Sequence, residues 1–242
     1  MGTPKKFNEV IQEHLHAHAA WLPITNTYRL GDYGLIADGV FNKIGNIKDD
    51  FGVTYEEGVG PDANLDFVSA NTTVVNTVAG AKVDVIPEGA IGVKVTYKFN
   101  DARSFLVKAP TIKVKTIENL NKLAGQLQSR NDWESKWRVV WQTYHAENSL
   151  LISTLAEGGE VGFSGEAAAL KQLHLGDVSA NLSISDSKSL GLTMMGKAGV
   201  IALGLFKLGW LFGGIKVLAA AAGADATAIT HQDKEYDPGD DV

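Results

Sequence analysis

The sequence predicts an α+β fold, a twisted and mainly antiparallel sheet with flanking helices, on three observations. Residues 90–115 alternate apolar and polar positions: Ile91, Val93, Val95, Tyr97 and Phe99, then Phe105, Val107, Ala109, Ile112 and Val114, broken once at Pro110. A side-chain period of two is that of a strand with one apolar face. A second alternating region covers 137–190. Between the two, Ile117, Leu120, Leu123, Ala124 and Leu127 recur at helical spacing.

Taken in order, residues 4–22 read as an amphipathic helix, with Phe7, Val10, Ile11, Leu15, Ala19 and Leu22 on one face, Pro4 near its start and Pro23 beyond its end. His14, His16 and His18 lie within it. On a helix only His14 and His18 share a face, and no carboxylate or histidine elsewhere completes a ligand set, so a metal site is not expected. Residues 21–53 are short apolar runs punctuated by Gly31, Gly34, Gly39, Gly45 and Gly52, which predicts strands and tight turns, with turns at Gly39 and at Gly45-Asn46. No phosphate-cradling spacing occurs there. Residues 55–64 read as a loop, and 65–86 as a long β-prone run closed by Pro87-Glu88-Gly89.

Residues 90–115 then read as two strands joined through Asn100 to Arg103, a hairpin with an apolar face and a lysine-bearing face. Thr116 is placed to cap a helix over 117–130. Trp137, Val139, Trp141 and Thr143 alternate with Arg138, Val140, Gln142 and Tyr144 in the next strand, and the cluster Trp133, Trp137 and Trp141 is expected to anchor a core. Strand-like segments follow over 149–190. Residues 198–222 have the length of a transmembrane helix, but Lys207, Lys216 and five glycines interrupt them, so a buried strand followed by a short helix is expected.

Composition narrows the function class. The 242 residues are 45% hydrophobic and 21% charged, an ordinary globular balance. With no cysteine there is no disulfide, thiolate metal site or cysteine nucleophile, and a reducing compartment is expected. The N-terminal segment is too polar for a signal peptide, and Lys6 stands where a myristoylation signal wants serine or threonine. The net charge of −6 is uneven: residues 223–242 hold six acids against Lys234, while residues 82–115 hold seven bases against three acids. The chain therefore divides into a body, 1–222, and an acidic C-terminal tail, 223–242. No G-x-S-x-G, H-E-x-x-H or Walker lysine is present, and His145 beside Glu147 has no nucleophile to serve, so neither an enzyme nor a cofactor is expected. One modest basic stretch in an acidic chain excludes a nucleic-acid binder.

The order of elements, from the amphipathic helix with Lys5 and Lys6 through WLPI, FNKIGNI, the alternating strands of 90–115, the helix at 117–130 and WRVVWQTYHAENSLLIS, resembles the pore-forming domain of gasdermins, the compact bacterial and fungal type, over roughly residues 5–200. The resemblance implies a soluble α+β domain that is cytoplasmic when inactive. On activation its hairpins refold into membrane-spanning strands, and many copies close into a homo-oligomeric ring that causes cell death or defence. It also implies contact with anionic membrane lipids, for which Lys5, Lys6, Lys94, Lys98, Arg103, Lys108, Lys113 and Lys115 are the candidates. The segment after about Ala219 would be an inhibitory tail, removed by a protease or displaced by a partner. Two departures stand against the family pattern: no N-terminal cysteine for lipidation and no cleavage motif in AAAAGADATAIT. A spanning strand needs about 9–11 residues with alternating faces. The stretches 90–99 and 104–114 supply two, and 137–154 with 160–190 are candidates for the second hairpin. Gly92 and Pro110 are expected to matter in the change of state. The alternatives from the residues alone are a soluble β-rich interaction module and a small-molecule binder built on the tryptophans.

Overall fold

The computed structural model describes residues 2–167, 170, 183–208 and 215–217. Among them are three helices and fourteen strands, an α+β fold of antiparallel sheets with flanking helices. They group into two units, one of residues 1–62, 113–145 and 200–242, the other of residues 63–112 and 146–199.

In the first unit α1 (Thr3–Leu15) opens with a proline in its first turn and buries Phe7, Val10, Ile11 and Leu15. The expected helix over 4–22 stops at Leu15. His16 turns left-handed at φ 49° and returns its N–H to the Gln12 carbonyl, and β1 (His18–Ala19) then pairs with β13 (Leu190–Leu208). His14 and His18 therefore do not share a helical face. The hairpin β2 (Asp32–Ala37) and β3 (Val40–Asn46) closes through Asp38-Gly39, both with positive φ, the geometry of a two-residue primed turn. Gly39 thus occupies the turn expected of it. Gly45-Asn46 does not turn: Gly45 stays in the strand and Asn46 caps α2 (Ile47–Phe51) by accepting the Lys48 N–H. Within the expected loop 55–64, β4 (Glu57–Val59) pairs with the end of β9 (Phe105–Ile117). That pairing keeps Ile117 in a strand, so α3 runs Leu120–Gln128 with Asn119, not Thr116, at its N-cap. The strand order is β1-β13-β10-β2-β3, with β10 at Arg138–Thr154 and β14 (Ile215–Val217) beside β13.

The core of this unit joins Ile117, Leu123, Ala124 and Leu127 to Val139, Phe206 and Leu208. Trp133 and Trp137 pack on Tyr33 and Phe51 with ring centroids 4.8–6.2 Å apart, the anchoring role their spacing predicts. Val200 to Leu208, within the apolar run 198–222, form the expected buried strand; the expected short helix after it lies outside the described residues. No helix among the described residues is long and apolar enough to cross a membrane.

The second unit is a two-layer sandwich. One layer holds β5 (Ala63–Val68) with the adjoining parts of β9, β10 and β13; the other is the sheet of β7 (Ala81–Val83), β6 (Thr72–Val78), β8 (Val93–Phe99), β11 (Gly159–Gly165) and β12 (Ser183–Lys188). Val93, Val95, Tyr97, Phe99, Val161 and Phe163 of the second layer meet Leu106, Leu150 and Ile152 of the first. The alternation over 90–115 is present as expected, except that Ile91 lies before the strand and is 83% exposed. The break at Pro110 is a β-bulge, because Ala63 and Leu65 pair with Ile112 and Ala109, so that Asn64 alone faces Pro110 and Thr111. The two strands of this stretch do not pair with each other: β8 is bonded to β6 and β11, β9 to β4, β5 and β10.

Candidate functional site

The partners of β8 and β9 reveal what the stretch is. β8 pairs with β6, from Thr72↔Phe99 to Val78↔Val93, and β9 pairs with β5, from Val68↔Leu106 to Ala63↔Ile112. β5 and β6 are consecutive, as are β8 and β9, so 63–78 and 93–112 are two arms of one long antiparallel hairpin, bent where it passes from one layer to the other. The same holds for 146–165 and 183–199: β11 pairs with β12 in one layer and β10 with β13 in the other. The hairpins adjoin through β8 and β11, from Phe99↔Gly159 to Val93↔Gly165, and through β9 and β10. The order β5-β9-β10-β13 in one layer repeats as β6-β8-β11-β12 in the other, so the unit is a four-arm antiparallel meander folded once across its middle.

The fold lines of the four arms lie beside one another and stay hydrogen-bonded. Ser69 donates its N–H to the Phe105 carbonyl at 2.9 Å, Asn100 to Asn71 at 3.3 Å, Thr154 to Ser104 at 3.0 Å, Gly158 to Phe99 at 3.0 Å and Leu155 to Ser189 at 3.0 Å. Each arm carries one left-handed residue at its bend: Asn71 (φ 57°), Arg103 (φ 57°), Gly158 (φ 73°) and Ser189 (φ 54°). Three of these have a Cβ, and the left-handed region costs an L-residue roughly 1–2 kcal/mol. The bend is thus a line of locally unfavourable backbone, held by burial of the faces it brings together.

The eight basic candidates do not converge on one patch. Lys5 and Lys6 lie on α1, where Lys6 meets Glu9 at 3.0 Å. Lys94 and Lys98 share the outer face of β8, with Thr96 between them, and Lys98 meets Glu160 of β11 at 3.4 Å. Arg103 is exposed at the bend of its arm. Lys108 pairs with Asp66 across β9 and β5. Lys113 and Lys115 are exposed on the far part of β9, Lys113 paired with Asp62. The carboxylates Glu9, Asp62, Asp66 and Glu160 were not singled out in the sequence, and only Glu9 has a local signal, at i+3 from Lys6.

Other polar clusters serve the fold. The Asp32 carboxylate is fully buried, 2.9 Å from the Lys43 ammonium, and accepts from the Asn46 amide at 2.8 Å and the Arg29 N–H at 2.9 Å. His18 is buried with no hydrogen-bond partner at Nε2, and burial lowers its pKa from 6.5 to about 4. Among the described residues no group of three or more His, Asp or Glu could hold a metal ion. A shallow hollow of about 170 Å³ is lined by Tyr55, Glu56, Glu118 and Lys122 and collects no catalytic set.

No family model and no curated protein matches the chain. Among solved structures it is similar to a bacterial gasdermin from Bradyrhizobium tropiciagri, at 10% sequence identity and a TM-score of 0.40, covering 88% of this chain and 90% of that one.

Proposed function

We propose that the chain is a gasdermin-like pore-former whose bent four-arm meander straightens into membrane-spanning strands, in a homo-oligomeric ring that breaches a membrane in cell death or defence. The observation that carries this is the continuous pairing of the arms through the bend. The arms span 63–78, 93–112, 146–165 and 183–199, each longer than the roughly 9–11 residues a spanning strand requires. Because their order is the same in both layers, each arm keeps its neighbouring arms on straightening, although the register must adjust at the corner. A four-stranded piece has two open edges, and open edges are not tolerated in hydrocarbon, so insertion requires closure with further copies. Two large apolar side chains flank the turn of the first hairpin in water, Val85 at 74% and Ile91 at 83% exposure, where a leading end would enter lipid.

In this proposal the protein is cytoplasmic until activated and has no catalytic role. Lys5, Lys6, Lys113 and Lys115, outside the four arms, and Arg103 at the bend contact anionic headgroups; Lys6 and Lys113 exchange the carboxylates they now hold. The acidic tail 223–242 restrains the body until a protease or a protein partner displaces it. The rival, a soluble β-rich interaction module, draws its support from the same carboxylate pairs, which leave the basic face largely neutralised.

Dye release from anionic liposomes decides between them. Full-length protein and a chain stopped after Ala222 are compared, with sedimentation of the vesicles as the binding readout. Release with either form, accompanied by oligomers resistant to dilution, is the expected result. Absence of both release and binding for both forms refutes the pore and leaves the soluble module.

A further inference from the structure

We infer that Lys94, Lys98 and Lys108 line the water-filled lumen of the inserted barrel and set a charge preference for the solutes that cross it, rather than contacting lipid headgroups. The inference rests on the proposed pore and goes beyond it by assigning a face to each residue. A strand in a membrane barrel turns one face to lipid and the other to the lumen. In the β8 layer the apolar face is Val93, Val95, Tyr97 and Phe99, buried in the sandwich core. Once the sandwich opens, that face is the one that lipid accepts. Lys94 and Lys98 stand on the opposite face, beside Thr77 and Thr73 of β6 on one side and Ser164 and Glu160 of β11 on the other.

The phase of the second arm carries the assignment past the bend. Phe105, Val107 and Ala109 are odd-numbered, like the apolar residues of β8, whereas Lys108 is even-numbered, like Lys94 and Lys98. In the folded chain the left-handed bend at Arg103 breaks this phase: Leu106 joins the sandwich core that Val93 to Phe99 also face, and Phe105, Val107 and Ala109 are buried away from it. Extended as a single strand, 93–109 places Val93, Val95, Tyr97, Phe99, Phe105, Val107 and Ala109 on one face, with the charged Asp101 and Arg103 between its two apolar runs, and the three lysines with Leu106 on the other. The two apolar runs of the arm, Val93 to Phe99 and Phe105 to Ala109, share a face only when it is straight.

The charges on that face are spread across neighbouring strands. Lys98 meets Glu160 at 3.4 Å, Glu160 is also the register partner of Lys188, and Lys108 is paired with Asp66 in register. Among the described side chains this face holds Lys82, across from Thr77, with Lys94, Lys98, Lys108 and Lys188, against Glu160 and Asp66. A slightly basic lumen favours anionic solutes, and replacing Lys94 and Lys98 by glutamate changes the charge of each copy by −4, enough to invert the preference.

The test uses anionic liposomes loaded with size-matched anionic and cationic fluorescent dyes and with an uncharged dextran. It is run at about 10 mM salt, where the screening length is near 30 Å, and applied to whichever chain form releases dye. The variants are K94E/K98E and the neutral K94Q/K98Q. The expected result is a release ratio of anionic to cationic dye that falls about threefold or more in the glutamate variant and less in the glutamine variant, with the effect fading at 1 M salt. Circular dichroism confirms that both variants are folded. Vesicle sedimentation lost in K94E/K98E, with the dye ratio unchanged in what release remains, overturns the assignment and returns these lysines to the headgroups. An unchanged ratio with normal binding overturns it as well. If the native chain releases no dye in any form, the pore itself is refuted and the lumen with it, an outcome distinct from selective failure of the variants.

Discussion

Acidification from pH 7.5 to 4.5 should weaken the docking of the N-terminal segment through one side chain, His18. The imidazole is buried on β1, its Nε2 has no hydrogen-bond partner, and its pKa falls from 6.5 to about 4 because burial disfavours the charged form. Between these values the unfolded chain holds a proton that the folded chain does not, so stability rises with pH across that window and is lost as pH falls below about 6.5. From the two pKa values the loss between pH 7.5 and 4.5 is about 2–3 kcal/mol, a substantial part of the roughly 5–15 kcal/mol that holds a domain folded. The perturbation is His18→Leu, which fills a similar volume and cannot titrate. Urea unfolding at the two pH values, followed by far-ultraviolet circular dichroism, gives four free energies. Carboxylates contribute equally to native and variant, so the difference of differences isolates His18. A native chain that loses about 2–3 kcal/mol more than the variant agrees with the structure. Equal losses would show that His18 is not held neutral in the folded state and would refute the reasoning.

Asp32→Ala should cost about 2–4 kcal/mol, because it strands the buried Asn46 amide and removes the Lys43 partner; denaturant midpoints check this, and a cost below about 0.5 kcal/mol contradicts it. Phe163→Ala, in the core of the sandwich between β8 and the β9 and β10 layer, should cost about 3–5 kcal/mol by the same measurement. At the bend, measured against Arg103→Ala, which loses the same charge, Arg103→Gly should stabilise the folded chain by about 1 kcal/mol, since glycine adopts the left-handed region without penalty, and should slow dye release about fivefold. Arg103→Val should do the opposite on both counts, because a β-branched residue resists positive φ. If the two Arg103 variants shift release in the same direction, the bend is not the element that opens.

Most strand and helix cores were legible in the sequence, because period two over 93–99, 105–114 and 138–154 and the helical spacing of Leu123, Ala124 and Leu127 are local properties. The aromatic anchor was legible too, since Trp133 and Trp137 lie four residues apart and pack on one cluster. Boundaries were lost wherever a distant strand intervened. His16 ends α1 because His18 and Ala19 are drawn to Leu203 and Ala202, and Ile117 leaves the helix because Glu57 pairs with it. The carboxylates Asp62 and Asp66 lie 51 and 42 residues from their lysines, a separation at which no spacing rule operates. The acidic tail and the stretch 168–182 before β12, apart from Leu170, lie outside the described residues.

The hairpin expected over 90–115 does not form, and the reason is geometric. A hairpin turn reverses the chain, and the residues on its two sides then pair with each other. Here the chain between Phe99 and Phe105 does not reverse: Phe99 pairs with Thr72, Leu106 with Val68, and both partners belong to the same neighbouring arm. What looked like two strands and a turn is one strand with a corner. The sequence carried a hint of this, because the apolar positions keep the same parity on both sides of Asn100 to Ser104. In the folded sandwich that shared parity has no use, since the two halves bury opposite faces and Arg103 must turn left-handed to let them. Two apolar runs that share a face only in a straight strand are the pattern expected of a chain that must fit two environments in turn. The neighbouring arm does not match it residue for residue: the pairs sum to 171 in β6 and to 174 at Val68, so three residues, 69–71, face six, 100–105, across the corner.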